Sequence, residues 1–266
     1  MLIIGERINA TRKQIGEALK NRDADLIRNE ARQQAAAGAD YLDVNGGSTP
    51  EEELANMSWL CEEVQSASEL PLCIDSASPE AMREGLRLHK NGRPMVNSIS
   101  MEEGRYEDIL PIVKEHDALV IALAMDDSGI PQTAEDRLQV VEKIAKAADA
   151  QGIALSDVYV DPLVMALSAD GTAANLVVNV LKGIKERWPE LKTTCGLSNI
   201  SFGLPNRRLV NRVFLAMLMA HGLDSAIVDP FDEKLMATVY AGRALAGRDE
   251  FCMNYLEAYR AKKLEV

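Results

Sequence analysis

Acidic and amide residues recur in this sequence directly after short apolar runs. In chain order, the ends of eight such runs carry Glu6 and Asn9, Asp43 and Asn45, Asp75, Asn97 and Ser98, Met125, Asp161, Ser198 and Asn199, and Asp229. A single Asp or Asn in such a place is explained by a turn or a helix N-cap. However, Leu42-Asp43-Val44-Asn45 places two polar groups on the same face of one run, which capping does not require. The set as a whole predicts a ring of ligand-binding side chains.

The composition of this ring narrows the chemistry. No lysine stands at any run end, which disfavours a Schiff-base aldolase. The three histidines, His89, His116 and His221, fall at or near predicted helix ends, so we expect no His-rich metal site and predict no bound metal. Several Asp residues could hold Mg²⁺, but the interleaved Asn residues suit a different ligand. Because Asp accepts two hydrogen bonds from an amidine edge and Asn both donates and accepts, the ring suits a planar heterocycle with mixed donors and acceptors.

The elements that must position these side chains alternate between two patterns. Eight β-branched or apolar runs predict strands, and each precedes an amphipathic helical pattern, at ~33 residues per unit. The predicted strands are Leu2–Asn9, Ala39–Asn45, Leu72–Ser76, Pro94–Ser100, Ala118–Met125, Val158–Leu163, Thr193–Asn199 and Ser225–Asp229. One predicted helix begins at a capping-box pattern, Thr133-Ala134-Glu135-Asp136, and ends at Gly152.

Eight strand–helix units predict a (β/α)8 barrel, in which active sites lie at the C-terminal ends of the strands. The alternative is a doubly wound open sheet, which should carry a glycine-rich phosphate turn after its first strand. Here the first strand ends in Glu6-Arg7-Ile8-Asn9, without such a turn. Beyond the eighth unit, four residues predict one extra C-terminal helix: Phe251, Tyr255, Leu256 and Tyr259. No linker-like stretch interrupts the chain, so we expect a single domain over residues 1–266.

The composition limits which partners the protein can bind and which cellular compartment we expect for it. The 266 residues carry a net charge of −12, which argues against a general nucleic-acid or anionic-membrane binder. Since the chain has no apolar run of ~18 residues and no signal-like start, we expect a cytoplasmic protein. Its four cysteines are expected to be small buried hydrophobic residues rather than disulfides. The segment 213–220 is apolar around most of a helix circumference, which predicts a homodimer contact.

Six motifs at successive strand ends resemble those of a known family. They are Gly5-Glu6-Arg7-Ile8-Asn9, Leu42-Asp43-Val44-Asn45, Asp75-Ser76, Asn97-Ser98, Asp161-Pro162 and Gly196-Leu197-Ser198-Asn199. In this order they resemble the pterin-binding barrel family. Within that family the chain resembles the methyltetrahydrofolate:corrinoid protein methyltransferases and the folate domain of cobalamin-dependent methionine synthase. The resemblance covers nearly all of the sequence.

The resemblance implies a role for each site residue. Asp75, Asn97 and Asp161 would hold the pterin ring by its hydrogen-bonding edges, and Asn199 would lie near N5, the atom that carries the methyl group. The same pocket would be lined by Glu6, Asp43, Asn45 and Ser198. The catalytic set implied is Asn199 with Asp43 and Asp161, in a hydrogen-bond network that stabilises protonated N5.

The implied reaction moves a methyl group between N5 of tetrahydrofolate and the cobalt of a corrinoid, as cob(I)alamin or methylcobalamin, with its direction open. A D-x-H-x-x-G motif is absent, so the corrinoid is expected on a separate protein. One alternative on the same barrel is a condensation like that of dihydropteroate synthase. It is disfavoured because the seventh and eighth strand ends carry no basic residue for a leaving pyrophosphate. Arg207 and Arg208, which follow strand seven, could contact a folate tail or a partner, or simply be solvated. The further alternatives are a Mg²⁺-dependent lyase and a non-catalytic protein that binds folate or docks a corrinoid protein.

Overall fold

A computed structural model describes residues 1–47 and 49–264, apart from the side chains of residues 50 and 51. The eight strands of this described part are parallel and form one sheet in the order β7-β6-β5-β4-β3-β2-β1-β8. The strands are β1 Leu2–Asn9, β2 Tyr41–Asn45, β3 Leu72–Asp75, β4 Met95–Met101, β5 Leu119–Asp126, β6 Val158–Asp161, β7 Lys192–Thr193 and β8 Ser225–Val228. The sheet curls into a nearly closed barrel, which confirms the (β/α)8 prediction over the open sheet.

The described chain also contains ten α-helices, which surround the barrel. They are α1 Lys13–Asn21, α2 Ala24–Ala37, α3 Pro50–Gln65, α4 Pro79–Leu88, α5 Arg105–Glu115, α6 Ala134–Ala150, α7 Ala173–Arg187, α8 Arg207–Ala220, α9 Glu233–Leu245 and α10 Met253–Arg260. Helix α1, an additional helix between β1 and α2, was not anticipated from the sequence.

The seventh strand differs most from its prediction. A strand was expected over Thr193–Asn199, but β7 ends at Thr193 and Leu197–Ser201 forms a 3-10 helix. This segment leaves the sheet because its carbonyls find other partners: the Asn199 carbonyl accepts from Phe202 N at 3.1 Å, and the Ser198 carbonyl accepts from Arg207 at 2.7 Å. The barrel is closed here by single hydrogen bonds, such as Ile227 N to the Cys195 carbonyl at 2.9 Å. The other strands begin and end within two residues of their predicted limits.

Helix α6 shows how local sequence sets an element. The Thr133 hydroxyl accepts from Asp136 N at 3.1 Å, which is the N-cap half of the capping box that the sequence predicted. The same hydroxyl donates to the Asp136 carboxylate at 2.6 Å, in place of the return bond from the Thr133 backbone N–H. The helix ends at Ala150, and Gly152 follows with φ of +65°, a left-handed conformation that favours glycine.

Two kinds of core support the strand ends. Inside the barrel, a layer of side chains fills the lumen: Ile4, Tyr41, Cys73, Met95, Leu119, Ile121 and Tyr159. Outside it, the apolar faces of the helices pack against the sheet, as is usual for this architecture. The three histidines follow the C-terminal ends of α4, α5 and α8, at the opposite end of the barrel from the strand C-termini, as predicted.

The C-terminal helix α10 is present, but not with the packing that its sequence suggested. Its predicted apolar face is exposed, with Phe251 84% and Tyr259 69% accessible, and Ala258 is the residue that packs inward. The expectation of four buried cysteines is also wrong at one position, because Cys252 lies in the turn before α10 and is exposed. No helix in the described residues is both long and apolar enough to span a membrane.

Candidate active site

The ends of β2, β3 and β4 bring four of the predicted site residues into direct contact. The sheet register pairs Asp75 with Asn97, so their side chains lie on the same side of the sheet. Asn45 Nδ2 donates to Asp75 Oδ2 at 3.0 Å, and Asn97 Nδ2 donates to Asp43 Oδ1 at 3.1 Å. Each carboxylate is therefore held by an amide from another strand, β2 for Asp75 and β4 for Asp43, which leaves its remaining acceptor positions for a ligand.

Burial shifts the protonation of these two acids. Desolvation raises the pKa of Asp75 to about 6. The pKa of Asp43, which is fully buried, lies well above its ordinary value, first because of desolvation and then because of the nearby Asp75 charge. Carboxyl groups that titrate near neutral pH inside a concave site are typical of binding and catalytic positions.

Two residues behind this group were missed by the sequence analysis. Glu53 of α3 accepts a hydrogen bond from Ser76 Oγ at 2.6 Å and is nearly buried. Arg105, the first residue of α5, donates to the carbonyls of Ser76 at 2.8 Å and Ser98 at 2.6 Å. Arg105 thus ties together the exits of β3 and β4, which carry Asp75 and Asn97. Neither residue stands at a strand end, so the pattern that located the site could not point to them.

The second group of site residues lies at the ends of β6 and β7. Asp161 accepts a hydrogen bond from Leu163 N at 2.7 Å, and burial raises its pKa to about 6. Asn199 lies in the 3-10 helix after β7, and its side chain is exposed at the barrel mouth. A Cβ at position 196 would lie 3.2 Å from Asn199 Nδ2, so a larger residue there would displace the Asn199 side chain slightly.

Glu6, at the bulge in β1, lies between these two groups. Burial, and then the charge of Asp229, raise its pKa to about 7. Glu6 lines a cleft of about 300 Å³ together with Ser198, Arg207 and Asp229.

The structure revises the expectation that the last two strand ends lack cations. Arg207 lies at the β7 exit, where its Nε also donates to Ser201 Oγ at 3.0 Å. At the β8 exit, Arg7 Nη1 is 2.9 Å from Asp229 Oδ2, and Arg7 also forms a bidentate pair with Glu30. These cations come from β1 and α8 rather than from the strand ends, which is why the strand-end pattern missed them. Arg7 is neutralised by two carboxylates, whereas Arg207 is not within 4 Å of one in the described part of the chain.

The arrangement is a polar barrel mouth with Asp–Asn pairs on one side, Asp161 and Asn199 on the other and Glu6 between them. Direct hydrogen bonds join the residues within the first side, and no direct bond joins Asn199 to Asp43 or Asp161 among the described side chains. Over residues 1–47 and 49–264, no three His, Cys, Asp or Glu side chains converge to hold a metal ion. The mouth can accept several hydrogen bonds from a polar ring and exchange protons with it near neutral pH.

Comparison with known proteins agrees with this architecture. The family described as pterin binding enzyme matches residues 5–229, and the chain belongs to this family. It is 37% identical over 99% of its length to a methylcorrinoid:tetrahydrofolate methyltransferase of Eubacterium limosum, of which it covers 98%. It is also 32% identical, over 86% of its length, to the methionine synthase of Mycobacterium tuberculosis, of which it covers 20%.

Solved structures give the same fold. A dihydropteroate synthase from Clostridium difficile aligns with a TM-score of 0.71 at 19% identity, over 92% of this chain and 96% of that one. The enzyme of Vibrio fischeri aligns with a TM-score of 0.71 at 15% identity, over 93% of each chain. At these identities the likeness concerns the barrel and not its chemistry.

Proposed function

We propose that this protein is a methyltransferase that moves a methyl group between a corrinoid and N5 of tetrahydrofolate. The observation that carries the proposal is the set of carboxylates at the barrel mouth, Glu6, Asp43, Asp75 and Asp161. In the described part of the chain, none of them has a Lys or Arg nitrogen within 4 Å. Buried carboxylates without a counter-ion are costly, so they are expected where a ligand supplies their partners. Full-length similarity to a methylcorrinoid:tetrahydrofolate methyltransferase supports the reaction.

In this proposal the Asp–Asn side of the mouth binds the pterin. Asp75 accepts two hydrogen bonds from the amidine edge of the ring, while Asn45 Nδ2 donates to Asp75 Oδ2 and keeps the carboxylate in place. Asn97 offers the ring a donor and an acceptor from β4. Asp161 binds the opposite edge, with its orientation fixed by Leu163 N. Glu6, Asp43 and Ser198 complete the lining.

The chemical step needs a site for one proton. When N5 of tetrahydrofolate attacks the methyl group on cobalt, the N–C bond forms, the cobalt–carbon electron pair stays on the metal and N5 loses its proton. In the reverse direction N5 must be protonated before the amine can leave. We assign Asn199 to hold the N5 position, with Asp43 and Asp161 as the acids that exchange the proton. Their raised pKa values suit such exchange near neutral pH.

The corrinoid is a substrate in this scheme and is expected to arrive on a separate protein that docks over the barrel mouth. Phe202, three residues beyond Asn199, is 67% exposed and offers apolar surface beside the reacting atoms. The name of the Eubacterium limosum relative supports net transfer from methylcorrinoid to tetrahydrofolate.

The decisive experiment mixes the purified protein with methylcobalamin and tetrahydrofolate and follows the cobalamin spectrum. We expect loss of the methylcobalamin absorbance with formation of 5-methyltetrahydrofolate, and the reverse reaction from cob(I)alamin and 5-methyltetrahydrofolate. The matched control is Asp75→Ala, which should bind folate poorly. Absence of transfer in both directions would contradict the proposal. Turnover of a dihydropterin pyrophosphate with p-aminobenzoate would instead favour the condensing enzyme.

We also propose that the protein is a homodimer through α8. Leu209, Val213 and Met217 follow one another at intervals of four residues and are exposed on its outer face, while Phe214 and Leu218 are buried beneath them. Sedimentation at micromolar concentration should give a dimer, and Val213→Glu should give a monomer. A wild-type protein that sediments as a monomer would contradict this assignment.

A further inference from the structure

Arg137 of α6 is a buried cation that the proposed reaction does not use. Its side chain is completely inaccessible to solvent. Nε donates to the Pro131 carbonyl at 2.9 Å, and Nη1 donates to the carbonyls of Pro162 and of Leu163, the latter at 2.6 Å. In the described part of the chain Arg137 has no carboxylate within 4 Å, and Nη2 is buried without a partner.

Such an arrangement is unfavourable for stability alone. A guanidinium removed from water without a counter-ion loses more in hydration than a few carbonyl contacts return, and an apolar residue of similar volume is often neutral or stabilising in such a place. The surroundings are apolar, since Leu138 and Val141 on the same helix are buried. The burial of Arg137 is therefore better explained by a contribution to function than by a contribution to stability.

Two of the three carbonyls that Arg137 binds, those of Pro162 and Leu163, belong to the exit of β6. Leu163 has a φ of +63°, a left-handed conformation that is unfavourable for a residue with a Cβ and persists only when its surroundings hold it. The same residue makes two bonds with opposite ends of its backbone: its carbonyl accepts from Arg137, and its amide donates to Asp161 Oδ1 at 2.7 Å. A continuous chain of hydrogen bonds thus runs from the guanidinium to the Asp161 carboxylate.

We propose that Arg137 is a positioning residue for ligand binding, which holds the β6 exit in the conformation that orients the Asp161 carboxylate at the barrel mouth. This inference rests on the proposed function, because Asp161 is there assigned to the pterin. Arg137 acts through Leu163 and is not expected to touch the substrate. Asp161 faces two titratable groups from neighbouring elements, Arg137 of α6 and the Cys195 thiol after β7. Of these, Arg137 favours the ionised carboxylate and so opposes the effect of burial on its pKa.

Two variants separate the geometric role from the charge. Arg137→Met removes the hydrogen bonds and the charge while keeping an apolar side chain of similar length. Arg137→Lys keeps the charge but cannot bind two carbonyls as a fork. The matched control is Arg187→Met, which removes an exposed arginine that pairs with Glu135 of α6. Tetrahydrofolate affinity is measured by calorimetry between pH 5.5 and 8, and thermal unfolding is recorded for every variant.

We expect Arg137→Met to weaken tetrahydrofolate binding roughly tenfold or more and to raise the pH below which binding is lost. Arg137→Lys should weaken binding while leaving that pH near its wild-type value, and Arg187→Met should change neither. In an Asp161→Asn background, the effect of Arg137→Met on affinity should nearly vanish, because both residues act on the same bond.

Wild-type affinity and an unchanged pH profile in both Arg137 variants would overturn the inference, whatever happens to their thermal stability. If Arg137→Met does not fold, Arg137→Lys carries the test alone: it must weaken binding, and do so only while Asp161 is present. A wild-type protein that does not bind tetrahydrofolate would overturn the proposed function and this inference with it. Wild-type binding with unaffected variants would overturn this inference alone.

Discussion

The two ends of the barrel treat their acidic residues in opposite ways. At the N-terminal end of the strands, Asp157 forms a bidentate pair with Arg93, with both N–O distances 2.7 Å. Asp224 accepts from Lys185 and also from Thr193 N at 2.9 Å. These acids join neighbouring strands and loops, and each has a cation as its partner.

At the C-terminal end, the four carboxylates Glu6, Asp43, Asp75 and Asp161 have amides, backbone N–H groups or each other for neighbours, although Asp229 at the same end pairs with Arg7. The result is visible in their protonation: burial raises the pKa of Asp75 and Asp161 to about 6 and that of Glu6 to about 7. At the N-terminal end, carboxylates therefore stabilise the fold through ion pairs. At the C-terminal end, these four carboxylates stay buried at a cost in solvation free energy, in a place where a ligand can bind them. Substitutions at the two ends should consequently have opposite effects on binding and stability.

The largest difference is expected for Asp75→Ala. Loss of a partly buried carboxylate that accepts a two-pronged hydrogen bond should weaken tetrahydrofolate binding by ~10²-fold, about 3 kcal/mol. Thermal stability should be unchanged or slightly higher, since an unpaired buried acid is removed. Calorimetry and thermal unfolding on the same preparation measure both effects, with Asp224→Ala as the control from the other end. If Asp75→Ala kept the folate affinity of wild type, the proposal that the Asp–Asn side of the mouth binds the pterin would be wrong.

Asn199→Ala tests the catalytic side of the mouth. If Asn199 holds N5 during proton exchange, kcat for methyl transfer should fall by about 10²-fold, since groups that assist proton transfer contribute on this scale. The tetrahydrofolate Kd should change far less, because the ring edges remain bound. Single-turnover transfer from methylcobalamin, combined with a separate binding measurement, distinguishes the two effects. A variant with unchanged kcat would show that Asn199 has no part in the chemical step.

The sequence predicts the strands better than it predicts the segment that follows β7. Alternation of apolar runs and amphipathic segments located every strand, and β5 begins and ends within one residue of its prediction, because a buried parallel strand is a nearly uninterrupted apolar run. The polar strand ends could be recognised for the same reason. By contrast, the 3-10 helix after β7 depends on hydrogen bonds from Arg207, which is distant from it in any local pattern.

Arg137 is a residue whose unusual position was partly visible in the sequence. It lies four residues before Val141 and is therefore on the buried stripe of α6, where a charged residue is unexpected. That irregularity was present in the sequence. However, the Pro162 and Leu163 carbonyls that Arg137 binds were not predictable, because they belong to a loop of the next strand–helix unit. The exposed apolar face of α10 could not be predicted either, since periodicity shows that a face is apolar without showing what covers it.

Asp224→Ala should have the complementary effect to Asp75→Ala. The substitution leaves the partly buried Lys185 without its carboxylate and removes the one oxygen that accepts from both Thr193 N and Thr193 Oγ1. We therefore expect a loss of about 2 kcal/mol in the free energy of unfolding. For a chain of this size that corresponds to a fall of roughly 5 °C in Tm. Folate affinity and kcat should stay within twofold of wild type. A Tm equal to that of wild type would mean that the ion pair of Asp224 does not stabilise the N-terminal end of the barrel.

The most discriminating effect is the pH dependence of stability without ligand. A carboxyl whose pKa is higher in the folded than in the unfolded state binds its proton more tightly when folded. Lowering the pH from about 7.5 to about 5 should therefore stabilise the free protein, because Glu6, Asp75 and Asp161 take up protons in this range more readily when folded. Tetrahydrofolate binding should show the opposite trend and weaken below pH 6, because the same carboxylates must be ionised to accept the hydrogen bonds of the ring.

Thermal unfolding between pH 5 and 7.5 measures the first trend, and calorimetry over the same range measures the second. Asp75→Asn should flatten part of the stability profile because it removes one titrating group, whereas Asp224→Asn should lower the whole curve while keeping its slope over this range. If stability instead falls steadily on acidification in the wild type, the carboxylates at the mouth are not held uncharged by burial. The contrast between the two ends would then rest on geometry alone and not on the free energy of ionisation.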